Sequence, residues 1–218
     1  MSDDVSRETP PVPEVAQGVF GDRLDLAVRY TAFLADQGTL RGLIGPREVP
    51  RLWDRHILNC AVVSEAIPEG ASVADIGSGA GLPGVVLAIT RPDLELVLIE
   101  PLLRRATFLD ECVELLGLTN VRVQRGRAEE SPHQGLFDVV TSRAVAELSK
   151  LAGWSMPLVR PGGVFLPMKG ASAEDELASS SKALKRLGAV SSEVLKVGVG
   201  VVDPQVTLIA VRKAPISG

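Results

Sequence analysis

Four glycines fall within eight residues of the segment Val73-Ala74-Asp75-Ile76-Gly77-Ser78-Gly79-Ala80-Gly81-Leu82-Pro83-Gly84. A plain tight turn does not need that many, since each glycine gives up more backbone freedom on folding than any other residue. The spacing fits a chain that leaves a short apolar strand and turns sharply at Gly77. Gly79 and Gly81 then lack the side chains that would keep a ligand off the backbone. Pro83, which has no N–H, suits the first turn of a following helix. Free amides at such a point favour an anionic or carboxylate-bearing ligand. Two familiar nucleotide loops do not fit. A phosphate loop requires lysine after the last glycine, where Val85 stands, and a dinucleotide fingerprint requires glycine where Leu82 stands. Two carboxylates complete the pattern. Asp75 precedes Gly77 by two residues, and Glu100 follows it by 23, where a group that holds ribose hydroxyls is expected.

Elsewhere the candidates for chemistry are few. There are two histidines, His56 and His133, and two cysteines, Cys60 and Cys112, with no CxxC or Cys/His ligand spacing. No metal site or disulfide scaffold is expected, and a reducing compartment fits. The 218 residues carry 23 basic and 27 acidic groups, a net of −4, which excludes a strongly basic nucleic-acid binder. The charge is uneven, however: residues 121–218 hold 13 basic and 9 acidic groups. With 45% apolar residues the chain can build a core, and aromatics at 4% leave that work to aliphatic side chains. No apolar run approaches the roughly 18 residues of a membrane span, and no apolar leader follows the acidic start. The expectation is a cytoplasmic protein.

The elements that must position these groups can be read from periodicity. Residues 1–18, with Pro10, Pro11 and Pro13, read as a disordered tail. Residues 19–70 read as a helical extension of two helices. The first begins near Phe20. The second, over 48–67, has an apolar face of Val49, Leu52, Trp53, His56, Cys60 and Val63, with Arg47, Arg51 and Arg55 spaced four apart beside it. From residue 71 to 218, strands alternate with helices. Strands are expected over 72–76, 95–99, 121–124, 137–141 and 163–168, with helices over 85–90, 102–116, 145–159 and 173–187. A final strand pair over 194–202 and 206–211 has no helix between its members. This is an α/β three-layer sandwich: a mostly parallel seven-stranded Rossmann-like sheet with an antiparallel edge hairpin. Ligands of such sheets collect at the carboxyl ends of the strands. Those ends carry Arg127-Ala128-Glu129, Ser142-Arg143-Ala144 and Met168-Lys169-Gly170.

The GxGxG spacing with its leading acid resembles motif I of the class I S-adenosylmethionine-dependent methyltransferases. With Arg55-His56-Ile57-Leu58 and the three strand-end triplets, the chain over about 20–212 resembles one family, the small-subunit ribosomal RNA guanine-N7 methyltransferases (RsmG, or glucose-inhibited division protein B). The resemblance implies an S-adenosylmethionine cofactor held by Asp75, Gly77, Ser78, Gly79, Gly81, Leu82, Glu100, Ala128, Glu129 and Arg143. It implies Arg143 beside the target base, and an RNA surface of Arg47, Arg51, Arg55, His56 and Lys169. The partner would be small-subunit 16S rRNA, in an assembled or partly assembled particle, met by a monomer away from any membrane. Two departures stand out. Family members often have Asn-Leu-Thr where this chain has Gly42-Leu43-Ile44, and Asp-Ser where it has Asn59-Cys60.

The implied chemistry is consistent with the residues present. Guanine N7 already has a lone pair and no hydrogen, so an in-line methyl transfer to it needs no general base. Catalysis then reduces to positioning and electrostatics. Methylation of an exocyclic amine usually uses [DNS]PP[YFW] after the fourth strand, where Ser142-Arg143-Ala144-Val145 stands here. Two rival readings are an NAD-binding oxidoreductase, which Leu82 opposes, and a non-catalytic ribosome-binding factor, which the intact loop opposes.

Overall fold

In the computed structural model, residues 9–216 are described. Seven strands form one sheet: β1 (Ser72–Ile76), β2 (Glu95–Glu100), β3 (Val121–Arg125), β4 (Phe137–Arg143), β5 (Val159–Lys169), β6 (Ala189–Val197) and β7 (Val206–Lys213). Their order is β3-β2-β1-β4-β5-β7-β6. The first five pair in parallel, and β7 runs antiparallel to both β5 and β6. The expected architecture, edge hairpin included, is therefore present. The reversal of strand order at β1 and β4 opens a crevice above their carboxyl ends. β1 reads Ser-Val-Ala-Asp-Ile, with everything after Ser72 buried, as a central parallel strand covered on both faces requires.

Several elements differ in extent from the expectation, among them the helix expected over 48–67, which is broken into 3₁₀, π, α and 3₁₀ segments. The edge strand, β6, spans Ala189–Val197, earlier than 194–202, because Gly198 turns the chain at φ +89 against Val62. β5 begins at Val159 and runs through Pro161-Gly162-Gly163, which had read as a turn. The pairing of β4 with β5 shifts at Phe137/Val139, and Gly163 lies there so close that a Cβ would stand 2.8 Å from the Asp138 carbonyl. The helix after β4, α6 (Leu148–Ser155), starts three residues later than expected and frees 144–147 as a connection. Helix α1 (Val15–Phe20) lies partly inside the stretch read as a tail. Ala16 is fully buried, so packing begins before residue 19. Residues 1–8 of that stretch lie outside the described residues.

The extension is one succession of helical turns. It runs through α1, a 3₁₀ turn, α2 (Leu24–Phe33) and a π turn at Leu34–Gly38. After a loop it resumes as a 3₁₀ segment (Pro46–Arg51), a π turn (Leu52–Ile57), α3 (Leu58–Ala61) and a further 3₁₀ segment (Val62–Ala66). It shares one apolar cluster with one face of the sheet, α4 (Gly84–Thr90) and α5 (Leu103–Leu116). Phe33 stacks on Phe108 of α5 at 4.9 Å between ring centres, and Arg23 Nε donates to the Ile89 carbonyl of α4 at 2.7 Å. The other face packs on α6 and α7 (Ala173–Arg186).

Candidate active site

The glycine loop is clamped from beneath. Gly77 N–H donates to the Ile99 carbonyl at 2.8 Å, which carries the chain from β1 over the end of β2. Asp75 is fully buried. Its Oδ2 accepts from Gly84 N–H at 3.0 Å, and its Oδ1 has no partner among the described residues. Burial pushes this carboxyl up to about 7, against the stabilising Gly84 amide. Asp75 was expected to meet the cofactor. It braces the loop instead, because β1 directs it inward under α4 and not toward the crevice. From the extension, the buried Tyr30 hydroxyl donates to the Ala80 carbonyl at 2.7 Å, and burial holds this phenol well above its usual range.

The four glycines answer to different demands. A Cβ on Gly84 would lie 2.3 Å from Leu98 Cδ2 and 2.7 Å from Asp75 Oδ2, and one on Gly81 would lie 2.5 Å from Val85 Cγ2 and 2.9 Å from the Tyr30 hydroxyl. These two are demanded by packing. Gly77, at φ +66, faces Val145. Only Gly79, at φ +58, has open space where a side chain would go, its nearest neighbour being the Gly77 carbonyl at 3.7 Å. Gly79 and Gly81 were both expected to clear a path for ligand; the space this requires is open at Gly79 and filled at Gly81.

Glu100 closes the far wall. Though buried, it lines the crevice, and its two oxygens accept from the amides of Gly79 and Leu102, each at 3.0 Å. The resulting cavity is about 440 Å³, walled by Gly77–Ala80, Leu82, Glu100–Leu102, Arg105 and Arg143–Val145, with Leu43, Ile44 and His56 from the extension. That volume lies in the range of small-molecule and cofactor sites. The Ala80 amide, the one in Gly77–Leu82 not donated within the protein, the Glu100 carboxylate and the gap over Gly79 fit a nucleoside bearing an amino-acid tail. A second cleft of about 810 Å³ shares Arg143, Ala144 and Val145 with the first, and Arg51, Arg55, Met168, Lys169 and Thr207 help to line it. Ala144, at the junction, holds φ +54, an unusual conformation for a residue with a side chain.

Arg143 ends β4 at that junction. Its Nη2 donates to the Arg55 carbonyl at 3.2 Å and lies 3.0 Å from His56 Nδ1, while its Nη1 lies 3.4 Å from Cys60 Sγ. On the other side of the ring, His56 Nε2 stands 2.8 Å from Glu48 Oε2. The hydrogen bond with His56 holds the Glu48 carboxyl below its usual range, and burial leads the causes that push His56 down. Sequence reasoning missed Glu48 and Tyr30, since nothing local marks a lone glutamate or a helix tyrosine as reaching a loop.

The remaining expected residues divide. Ser78 lines the cavity while its hydroxyl donates to the Asp75 carbonyl at 2.9 Å. Ala128 is buried in the apolar cluster of Ile76 and Ile99, Glu129 is exposed, and neither lines the cavity. Arg47, Arg51 and Arg55 are exposed, with Arg55 paired to Glu48 at 3.2 Å. Lys169 was expected to face RNA. Its side chain is only 9% exposed, and Nζ donates to the Ala146 carbonyl at 3.0 Å and to Glu176 Oε2 at 2.7 Å. It ties β5 to α7 instead, and its hydrogen bond leads the causes that lower the Glu176 carboxyl. His56 has both ring nitrogens engaged within the protein and does not present a free edge to RNA. Among the described residues, no group of three or more His, Cys, Asp or Glu gathers to hold a metal, and no helix is long and apolar enough to cross a membrane.

A seven-stranded sheet in this order, with a glycine loop after β1 and a carboxylate ending β2, defines a class I S-adenosylmethionine-dependent methyltransferase. Solved structures agree on the fold. M. jannaschii TYW2 in complex with AdoMet superposes with a TM-score of 0.59 at 17% identity, over 76% of this chain and 78% of that one. A SAM-dependent O-methyltransferase from Thermotoga maritima gives 0.53 at 16% identity, over 72% and 64%. Within the class, the profile described as "rRNA small subunit methyltransferase G" matches residues 23–205. The ribosomal RNA small subunit methyltransferase G of Streptomyces avermitilis is 60% identical over 206 residues, 94% of this chain and 87% of that protein. Its counterpart in Corynebacterium efficiens is 53% identical over 219 residues, 95% and 94% of the two chains. The chain belongs to the rRNA small subunit methyltransferase G family.

Proposed function

We propose that this enzyme methylates N7 of a guanine in small-subunit 16S rRNA. The observation that carries the reading is the junction of the two cavities at Arg143–Val145, one of cofactor size over the glycine loop and one open toward exposed arginines. When bound in the first, S-adenosylmethionine supplies an electrophilic methyl group on a positive sulfur. Within Gly77–Leu82 the amides of Gly77, Ser78, Gly79, Gly81 and Leu82 are spent on the protein, which leaves Ala80 N–H for its tail, and Glu100 turns the remaining lone pairs of its carboxylate to the ribose hydroxyls.

The protein's own part is placement. The titratable side chains lining the first cavity are Glu100, His56, Arg105 and Arg143. Glu100 is engaged by two amides and His56 by Glu48 and Arg143, so neither is set up to take a proton. Guanine N7 needs no such help. Arg143 can donate in a plane to the Hoogsteen edge of guanine, a recurrent pairing for this side chain. The excluded volume around it does the remaining work of orientation. The target base must leave its stack to enter. With a net charge of −4, affinity for bare RNA is limited, and the shape of an assembled or partly assembled particle supplies the rest. We place the enzyme in the cytoplasm, acting as a monomer.

Mass spectrometry of nuclease-digested 16S rRNA from cells with and without the gene tests the reading. Loss of one 7-methylguanosine, restored by the wild-type chain and not by Arg143→Ala, is expected. An unchanged set of methylated guanines overturns it.

A further inference from the structure

His56 lies 87 residues from Arg143 in sequence, and its side chain is 12% exposed. Nδ1 stands 3.0 Å from Arg143 Nη2, and Nε2 stands 2.8 Å from Glu48 Oε2. A guanidinium has five N–H donors and no acceptor. Nδ1 must therefore offer a lone pair, so the ring is neutral, with its proton on Nε2 donated to Glu48. We propose that Glu48 and His56 act as a positioning pair that fixes the plane of the Arg143 guanidinium between the two cavities, and so sets how the target base is presented. This rests on the reading that Arg143 meets that base.

The other contacts agree. The Arg55 carbonyl accepts from Nη2 at 3.2 Å, and Cys60 Sγ lies 3.4 Å from Nη1. Three of the five N–H groups are thus spent on the extension, and two are left for substrate. The carbonyl comes from the wide π turn Leu52–Ile57, the kind of helix irregularity that collects at functional sites. The charged groups facing the ring are Glu48 from the segment Pro46–Arg51, Arg55 from its own turn and Arg143 from β4. Acid that protonates Nδ1 sets an N–H against the guanidinium N–H and releases Arg143.

The full-length chain is assayed with tritiated S-adenosylmethionine and small ribosomal subunits from cells lacking the gene. His56→Ala is expected to lower kcat by about 10- to 100-fold, the cost of misplacing a group at the reacting centre, with a much smaller change in KM for S-adenosylmethionine, whose cavity His56 also borders. His56→Asn, whose amide oxygen can stand where Nδ1 does, is expected to recover most of kcat and to lack the acidic fall in kcat expected of the wild type. Equal activity in the two variants, an acidic limb that persists in His56→Asn, or a rise only in KM for the particle overturns the proposal. A readout without turnover is the ¹⁵N spectrum of the wild-type histidines, of which there are two, with His133→Gln assigning them. An Nε2–H tautomer whose titration moves up in Arg143→Ala supports the pair, and an Nδ1–H tautomer overturns it. Wild-type protein with the expected spectrum but no methyl transfer would overturn the methyltransferase reading instead.

Discussion

The glycine loop beneath the first cavity and the arginine junction beside it are built by different means. In the loop, several partners are close in sequence. Asp75 Oδ2 reaches Gly84, nine residues on, and Ser78 reaches back three to the Asp75 carbonyl. At the junction, partners come from far away. Arg143 is held by Arg55, His56 and Cys60, between 83 and 88 residues earlier. The loop is a mainly local motif, closed over by the adjacent end of β2 and by one distant contact, the Tyr30 hydroxyl on the Ala80 carbonyl. The junction exists only because the extension and the sheet share a core, so the same change in chemistry should have different consequences in the two places.

The largest expected effect separates packing from binding inside the loop itself. Gly84→Val drives a side chain into Leu98 and Asp75 and is expected to cost about 3 kcal/mol or more of stability, at the upper end for overpacking a core. Urea denaturation measures it, and a variant of native stability would remove the packing role. Next is Asp75→Asn, which keeps an acceptor for Gly84 N–H. A carboxyl raised to about 7 holds its proton more tightly folded than unfolded. It therefore supports stability below its unfolded value, and that support is lost as pH rises through about 7. Wild type is expected to lose on the order of 3 kcal/mol between pH 4 and 7, and the variant to be nearly flat. Parallel pH profiles would place the Asp75 titration elsewhere.

Gly79→Val should strain the backbone by about 1–2 kcal/mol yet leave the fold intact, because the space there is open. Calorimetric titration with S-adenosylmethionine is expected to show affinity down by about 100-fold, some 2.7 kcal/mol. Unchanged affinity would take the loop out of the site. The smallest effects test the rim. Lys169→Ala frees Glu176 and is expected to cost about 1–2 kcal/mol of stability. Arg51→Ala should leave stability alone, weaken binding to the particle and lower the salt slope by about 1. The reverse outcome would exchange their roles.

Much of this was legible in the residues alone. The glycine spacing, Leu82 at the position a dinucleotide loop gives to glycine, and a carboxylate 23 residues on marked the cavity without help, because a loop between adjacent strands has little freedom once its spacing is set. The parallel strands were equally legible from their continuous apolar runs. The rim was not. Lys169 and an exposed lysine look alike in sequence, and only the approach of α7 to β5 pairs it with Glu176. His56 looked like a residue on an apolar face that could meet RNA, and nothing near it named Glu48 or Arg143 as partners.

Sequence by itself determined the order of elements and the spacing of the glycine loop with its two carboxylates, since these depend on residue types and short spacings. Tertiary structure decided which charged side chains are spent on one another and which remain for substrate. A charge is committed by whatever the folded chain brings within about 3 Å of it, and that neighbour can lie anywhere in the sequence.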